Sequence, residues 1–102
     1  THTAMGPWIV TRDEFGWEPE LDIRCFVNGE KRQDSNTRWQ IFGIAHVIAE
    51  LSAGITLRAG TIIAMGTPAG VGMGTTPPRY LKSGDTVRCE IDGIGALENK
   101  VK

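Results

Sequence analysis

The chain is arranged around a nine-residue loop, GTPAGVGMG, at positions 66–74, which we call the glycine loop. Four of its nine residues are glycine, so the backbone can adopt positive φ angles and its peptide N–H groups are not shielded by side chains. An apolar run, TIIAM, precedes it at 61–65, and the short length and β-branched residues of this run predict a buried strand. The loop should therefore begin where a strand ends.

Two interpretations of the glycine loop are open. It can be a tight turn that needs glycine for conformational reasons alone, or an anion- or carbonyl-binding site in which Thr67 supplies the hydroxyl. Two nucleotide-binding motifs do not fit the sequence. A P-loop needs Lys and then Ser or Thr where Met73 and Gly74 stand, and the dinucleotide fingerprint needs glycine where Thr75 stands.

The first half of the chain predicts a hairpin that follows a short strand at 8–10 and a brief helix capped by Thr11. Residues 21–27 alternate in hydrophobicity, which is typical of a half-buried strand. The dipeptide Asn28-Gly29 favours a two-residue type I′ turn, because both of its residues tolerate positive φ. Residues 30–33 are expected to return antiparallel to this strand.

The principal helix is predicted at about 38–52, where Thr37 and Gln40 match a capping box. His46 has no metal-binding partner at helical spacing other than Glu50, so we assign it no catalytic or metal-binding role. An apolar stripe that should pack on a sheet is formed by Ile41, Ile44, Ala45, Ile48 and Leu51.

The C-terminal part predicts a second hairpin, with strands at 86–91 and about 96–101 joined by an Asp-Gly turn. A strict two-residue pairing would place polar side chains on the apolar face. We therefore expect a one-residue bulge at Gly95, which sets Leu97 opposite Cys89.

Composition limits the class of protein. A length of 102 residues permits one modest core, and a net charge of −1 provides no basic stripe, so nucleic acid is not an expected partner. No apolar run approaches the length of a membrane span and no leader is evident, so we expect a soluble, cytoplasmic protein without membrane association. Cys25 and Cys89 lie in strand patterns and are expected to be reduced core residues rather than a disulfide.

Six segments, each a weak motif alone, together resemble the C-terminal half of the fumarylacetoacetate hydrolase family in order and spacing. The segments are Gly6–Thr11, the Asn28-Gly29 turn with Gln33 and Thr37, the helix end at Leu51-Ser52, the loop at 66–72, residues 80–85, and Ile94-Gly95 with Asn99. The resemblance covers nearly the whole chain.

The resemblance implies an α+β fold that is mainly β, a mixed β-sandwich roll with one principal helix. Residues 1–102 would be the C-terminal part of a single catalytic domain. The implied activity is that of a metal-dependent enzyme on 2-oxo or 1,3-dioxo acids: C–C bond hydrolysis, decarboxylation, or isomerisation and hydration of dienoates in aromatic catabolism. A divalent cation, Mg²⁺ or Mn²⁺ with Ca²⁺ as a further option, would stabilise an enolate. Thr67 and Gly66 look like the substrate-binding residues.

The family's metal ligands, a Glu-x-Glu pair and a later Asp, precede the segment that this chain resembles, as do its active-site Lys and lid His. We therefore assign no metal ligand and no catalytic residue within the chain, and we do not identify His2 with the family's histidine. The expected partners are a 2-oxo acid substrate, the missing N-terminal half and a second copy in a homodimer. The alternative is a non-catalytic binding or assembly module that retains the β roll.

Overall fold

The computed structural model describes residues 3–102, so Thr1 and His2 lie outside the described residues. Its centre is an antiparallel sheet of four strands in the order β2-β1-β3-β4. The elements are α1 (Arg12–Phe15), β1 (Asp22–Val27), β2 (Glu30–Asn36), α2 (Ile44–Gly54), β3 (Thr86–Ile91) and β4 (Gly95–Lys100), with single 3₁₀ turns at Thr37–Trp39 and Gly72–Gly74. The α+β, mainly β fold class is confirmed.

The first hairpin forms as its turn residues predict. Asn28 and Gly29 have φ angles of 51° and 80°, which suits a type I′ turn and brings β2 back along β1. The return strand is longer than the predicted segment and contains a bulge. Cys25 pairs with Gln33 although Phe26 pairs with Lys31, so one residue of β2 is left without a partner.

The second hairpin confirms the predicted register. Cys89 of β3 pairs with Leu97 of β4, and Gly95 has a φ angle of 128°, which favours glycine at this position. The connection is a three-residue turn in which the Ile94 N–H donates to the Ile91 carbonyl over 3.0 Å.

The two hairpins join through β1 and β3, where Cys25 stands directly opposite Cys89. The two Sγ atoms are 3.9 Å apart and both cysteines are free, as predicted. Cys25 is half-buried, but Cys89 is exposed, so the expectation that Cys89 is a core residue is wrong for this chain. Burial, with the Cys89 thiol as a second cause, raises the pKa of the Cys25 thiol to about 11.

The principal helix begins six residues later than predicted. The Thr37 hydroxyl donates to the Pro19 carbonyl over 2.5 Å and accepts from the Leu21 N–H over 2.9 Å, so it is not free to cap a helix. The chain therefore makes a 3₁₀ turn, and Gly43 precedes the first residue of α2. The predicted helix end at Ser52–Gly54 is confirmed within two residues.

Two predicted strands are absent from the described part of the chain. Neither residues 8–10 nor residues 61–65 pair with another strand there, and Ile9 and Ile62 are 88% and 66% exposed. A β-branched run becomes a strand only where another backbone offers hydrogen bonds. The short helix after Thr11 does form, and it ends at Gly16, which has a φ angle of 82°.

Most apolar side chains stay accessible within residues 3–102. Val27 is the one buried hydrophobic residue among them. The apolar stripe of α2 is not covered by the sheet as predicted, since Ile48 and Leu51 are 40% and 37% exposed. The Cα radius of gyration is 15.2 Å, compared with about 13 Å for a compact domain of this length. Within this same range, no helix has both the length and the apolarity that a membrane crossing requires.

Candidate functional site

The first residues of the glycine loop line an open cavity of about 400 Å³, which we call the loop cavity. The inward face of the first hairpin provides Ile23 and Ser35, and the segment before α2 closes another side. Fourteen residues line it: Ile23, Ser35, Asn36, Thr37, Trp39, Gln40, Ile41, Phe42, Val47, Ala64, Met65, Gly66, Thr67 and Pro68. The structure thus brings both predicted substrate-binding residues, Gly66 and Thr67, to one cavity wall.

A side chain of β2 anchors the start of the glycine loop. The Gln33 amide nitrogen, Nε2, donates to the Thr67 hydroxyl and to the Pro68 carbonyl, each over 2.8 Å. These two hydrogen bonds connect the start of the glycine loop to the sheet, although Thr67 itself remains exposed.

Later glycines of the loop serve close backbone packing. A Cβ atom on Gly70, whose φ angle is +106°, would lie 1.9 Å from the Arg32 carbonyl oxygen. One on Gly72 would lie 2.1 Å from the Arg79 carbonyl oxygen. These two glycines support the turn interpretation of the loop. Gly66 differs, because its φ angle is +95° but no atom lies within 4 Å of the Cβ position.

The loop cavity has an uncharged lining. None of the described residues that line it carries an ionisable side chain. The charged groups pair elsewhere: Arg24 donates to both carboxylate oxygens of Asp92 over 2.7 and 3.0 Å, and Arg79 donates to both of Glu30 over 2.7 and 2.6 Å. These hydrogen bonds hold the pKa values of the two carboxyl groups below their ordinary range.

The residues of this chain do not fit a divalent cation on their own. Among residues 3–102 there is no group of three or more His, Cys, Asp or Glu side chains that could hold a metal ion. Hard cations require several convergent oxygen ligands, and the lining of the loop cavity contains no carboxylate. His46 is exposed and stacks on Phe42 with 4.8 Å between ring centroids.

Sequence reasoning missed several residues of this site. It did not assign a site role to Gln33, and it placed Ile41 on a buried helical stripe, whereas Ile41 precedes α2 and is 92% exposed. Ser35 and Phe42 also line the loop cavity without having been predicted to do so. Their roles depend on the β2 bulge and on the late start of α2, and neither feature has a strong local pattern.

Comparison with protein families decides the classification. A family model described as the C-terminal region of fumarylacetoacetate (FAA) hydrolase matches residues 1–102. The chain belongs to the fumarylacetoacetate hydrolase family. The predicted resemblance is therefore confirmed over the full sequence.

Individual members of the fumarylacetoacetate hydrolase family are closely similar to this chain. A mitochondrial oxaloacetate tautomerase of Xenopus laevis is 46% identical over 101 residues, which is 99% of this chain and 32% of the relative. A fumarylacetoacetate hydrolase structure from Exiguobacterium antarcticum has a TM-score of 0.90 and 46% identity over 95% of this chain and 35% of that one.

A third similar protein is maleylpyruvate hydrolase from Sphingobium sp. SYK-6, solved in complex with manganese(II) ion and pyruvate. Its TM-score is 0.82 and its identity 42%, covering 94% of this chain and 34% of that chain. All three proteins are enzymes, and this chain spans about a third of the length of each.

Proposed function

We propose that residues 1–102 are the C-terminal part of a single catalytic domain in a divalent-metal-dependent enzyme that acts on 2-oxo or 1,3-dioxo acids. In this proposal Thr67 and Gly66 bind a substrate oxygen. The observation that carries it is the Thr67 hydroxyl, held 2.8 Å from Gln33 Nε2 on the wall of a cavity without ionisable side chains. The reaction would be hydrolysis of a C–C bond, decarboxylation, or isomerisation or hydration of a dienoate.

The chemistry of the cavity wall supports this assignment. A hydroxyl and the peptide N–H groups of a glycine-containing turn can donate hydrogen bonds to a carboxylate or a carbonyl oxygen. Apolar side chains such as Phe42, Val47 and Met65 line the same cavity. Where the complete protein excludes water from it, each hydrogen bond to a charged oxygen would be stronger than in water. Enzymes often gain more rate from stabilising the negative charge that develops during a reaction than from any other effect.

The relatives support the substrate class. One relative, at 46% identity, is named for oxaloacetate, and another, at 42% identity, is named for maleylpyruvate. Both compounds are 2-oxo acids. The maleylpyruvate hydrolase complex contains manganese(II) and pyruvate, itself a 2-oxo acid. We propose that the complete protein also uses a divalent cation, and that residues outside this chain bind it. The general base would come from the same part of the protein.

Substitution of Thr67 in the complete enzyme tests the proposal. Thr67→Val keeps the β-branched shape and removes the hydroxyl, so kcat/KM on a panel of acylpyruvates should fall roughly 10²–10³-fold. Thr67→Ser retains a hydroxyl and should recover most of the activity. The matched control is Thr61→Val, because the Thr61 hydroxyl accepts from the Arg58 N–H over 3.1 Å and does not line the loop cavity.

Thermal unfolding of the same variants separates catalysis from architecture. Thr67→Val leaves one N–H group of Gln33 without its acceptor, so a loss of about 1 kcal/mol in unfolding free energy is expected as well. Unchanged kcat/KM per folded molecule would mean that the hydroxyl only fixes the turn. The non-catalytic binding module would then be favoured if the complete protein also lacked turnover on the whole panel.

A further inference from the structure

The Gln33 amide has only one orientation that satisfies both of its contacts. The Pro68 carbonyl oxygen can only accept a hydrogen bond, so the NH₂ end of the amide must face it. The same Nε2 atom lies 2.8 Å from Thr67 Oγ1. One hydrogen of Nε2 is thus donated to the Pro68 carbonyl and the other to Thr67 Oγ1. The Thr67 hydroxyl therefore accepts from Gln33 and does not donate to it.

This arrangement decides what the Thr67 hydroxyl can still do. A hydroxyl has one proton to donate and two lone pairs that accept. The Gln33 N–H group binds one lone pair of Thr67 Oγ1, so the hydroxyl proton stays available for another hydrogen bond. Within residues 3–102 the structure gives this proton no acceptor. Thr67 lines the loop cavity, so the free proton can be donated to an oxygen atom bound there.

The bulge in β2 is what brings Gln33 to the cavity side. With regular pairing after the Asn28-Gly29 turn, Arg32 would stand opposite Cys25 and Gln33 would point to the other face of the sheet. Instead Cys25 pairs with Gln33, because one extra residue shifts the register. The bulge also offers the Arg32 carbonyl oxygen, against which Gly70 packs so closely that a Cβ atom would lie 1.9 Å from it.

We infer that Gln33 is a positioning residue: it holds Thr67 so that the hydroxyl donates its proton to an anionic oxygen of the substrate. The inference rests on the proposed function, since it acts through Thr67. Gln33 does not line the loop cavity, so its effect on turnover must pass through the glycine loop.

A double-mutant cycle in the complete enzyme tests this coupling. Gln33→Met keeps the length of the side chain and removes its N–H donors. It should lower kcat/KM about tenfold in the native background, but by less than about threefold in the Thr67→Val background. The matched control is Lys31→Met, two residues away on the same strand and opposite Phe26 on the other face; its kcat/KM should not change.

Each outcome of the cycle has a distinct meaning. An unchanged kcat/KM for Gln33→Met, or a loss above threefold in the Thr67→Val background, overturns the positioning role and leaves the proposed function intact. An unchanged kcat/KM for Thr67→Val itself overturns the proposed function and, with it, this inference. Circular dichroism and melting temperature establish that each variant is folded before rates are compared.

A pH profile of Gln33→Glu gives a second readout that a merely structural role would not move. The introduced carboxylate can only accept hydrogen bonds, so the Thr67 hydroxyl would donate to it instead of to the substrate. Once protonated, the carboxyl group can donate to Oγ1 again. The ratio of kcat/KM for Gln33→Glu to that for Gln33→Met should therefore rise as the pH falls through the pKa of the new carboxyl group. In the Thr67→Val background this rise should disappear. A flat ratio, or an equal rise in both backgrounds, contradicts the inference.

Discussion

At the scale of single residues, the position of the glycine loop depends on a backbone approach that only glycine allows. Gly70 combines a φ angle of +106° with a carbonyl oxygen 1.9 Å from the place where a Cβ atom would stand. Gly84 has a similar φ angle of +93° but nothing within 4 Å. The two positions therefore separate the cost of backbone conformation from the cost of a steric clash.

We predict that Gly84→Ala lowers the unfolding free energy of the complete protein by about 1–2 kcal/mol, the cost of a left-handed conformation. Gly70→Ala should cost roughly 1–3 kcal/mol more, because the loop must also move away from Arg32. It should reduce kcat/KM as well, since Thr67 moves with the loop. Chemical denaturation and initial rates measure both effects. Equal losses of stability for the two variants would contradict the close packing.

The chemical character of the site could be predicted only where it is local. Gly66 and Thr67 belong to one short segment whose glycine content and single hydroxyl are visible in the sequence. Gln33 lies 34 residues before Thr67 and faces it because of a register shift in β2. Phe42 also lines the loop cavity for a non-local reason, because α2 begins only at Ile44.

At the scale of elements, both hairpins follow from turn chemistry. Asn28 and Gly29 adopt the positive φ angles of their turn, and a three-residue connection before Gly95 aligns Leu97 with Cys89, so these registers are encoded locally. The failures concern elements that depend on distant partners. Thr37 binds the segment before β1 in place of capping a helix, and residues 61–65 have no strand to pair with in the described part.

An ion pair between elements provides a prediction of pH dependence. Arg24 of β1 donates to both carboxylate oxygens of Asp92, in the turn between β3 and β4, and this hydrogen bond lowers the pKa of Asp92. A carboxyl group whose pKa is lowered by folding stabilises the folded state above its unfolded pKa, and the contribution is lost as the pH falls through the folded value.

Asp92→Asn should therefore melt at a lower temperature than the native protein at pH 6. The difference should begin to shrink as the pH falls below about 4, the ordinary pKa of an aspartate, and should vanish only below the lowered pKa of the folded state. The effect should be small, because the pair is exposed and Arg24 retains Asp22 and Asp34 within 3.6 and 3.8 Å. Glu50→Gln is the matched control, since Glu50 has no ion-pair partner among the described residues. A difference for Asp92→Asn that is independent of pH would contradict the assignment.

At the scale of the whole molecule, the described residues form a sheet and a candidate site but almost no buried core. Val27 is the only buried hydrophobic side chain among residues 3–102, and its relative exposure is 9%. Large apolar side chains remain accessible on several sides, including Trp8, Trp39 and Ile41 at 57%, 70% and 92%. Exposure of so many large apolar side chains favours an interaction surface over a solvent-facing one. We propose that the remainder of the protein, and a second copy in a homodimer, cover it.

This arrangement predicts how residues 1–102 behave when produced alone. The burial of apolar surface contributes about 25 cal/mol per Å² to folding, and this chain leaves much of its apolar surface in water. The edges of its sheet, β2 and β4, also offer unpaired backbone groups to other chains. The isolated chain should therefore associate at micromolar concentration and bind a hydrophobic dye.

Sedimentation velocity and dye fluorescence, with the complete protein as the control, measure these properties. The complete protein should sediment as one discrete species and bind little dye, because the proposal has the surfaces around Trp39 and Ile41 covered there. Addition of the separately produced remainder should lower the dye signal of the isolated chain if it covers the same surfaces. A compact, monodisperse monomer of residues 1–102 without dye binding would mean that these surfaces need no cover, and the proposed division of one domain would then be wrong.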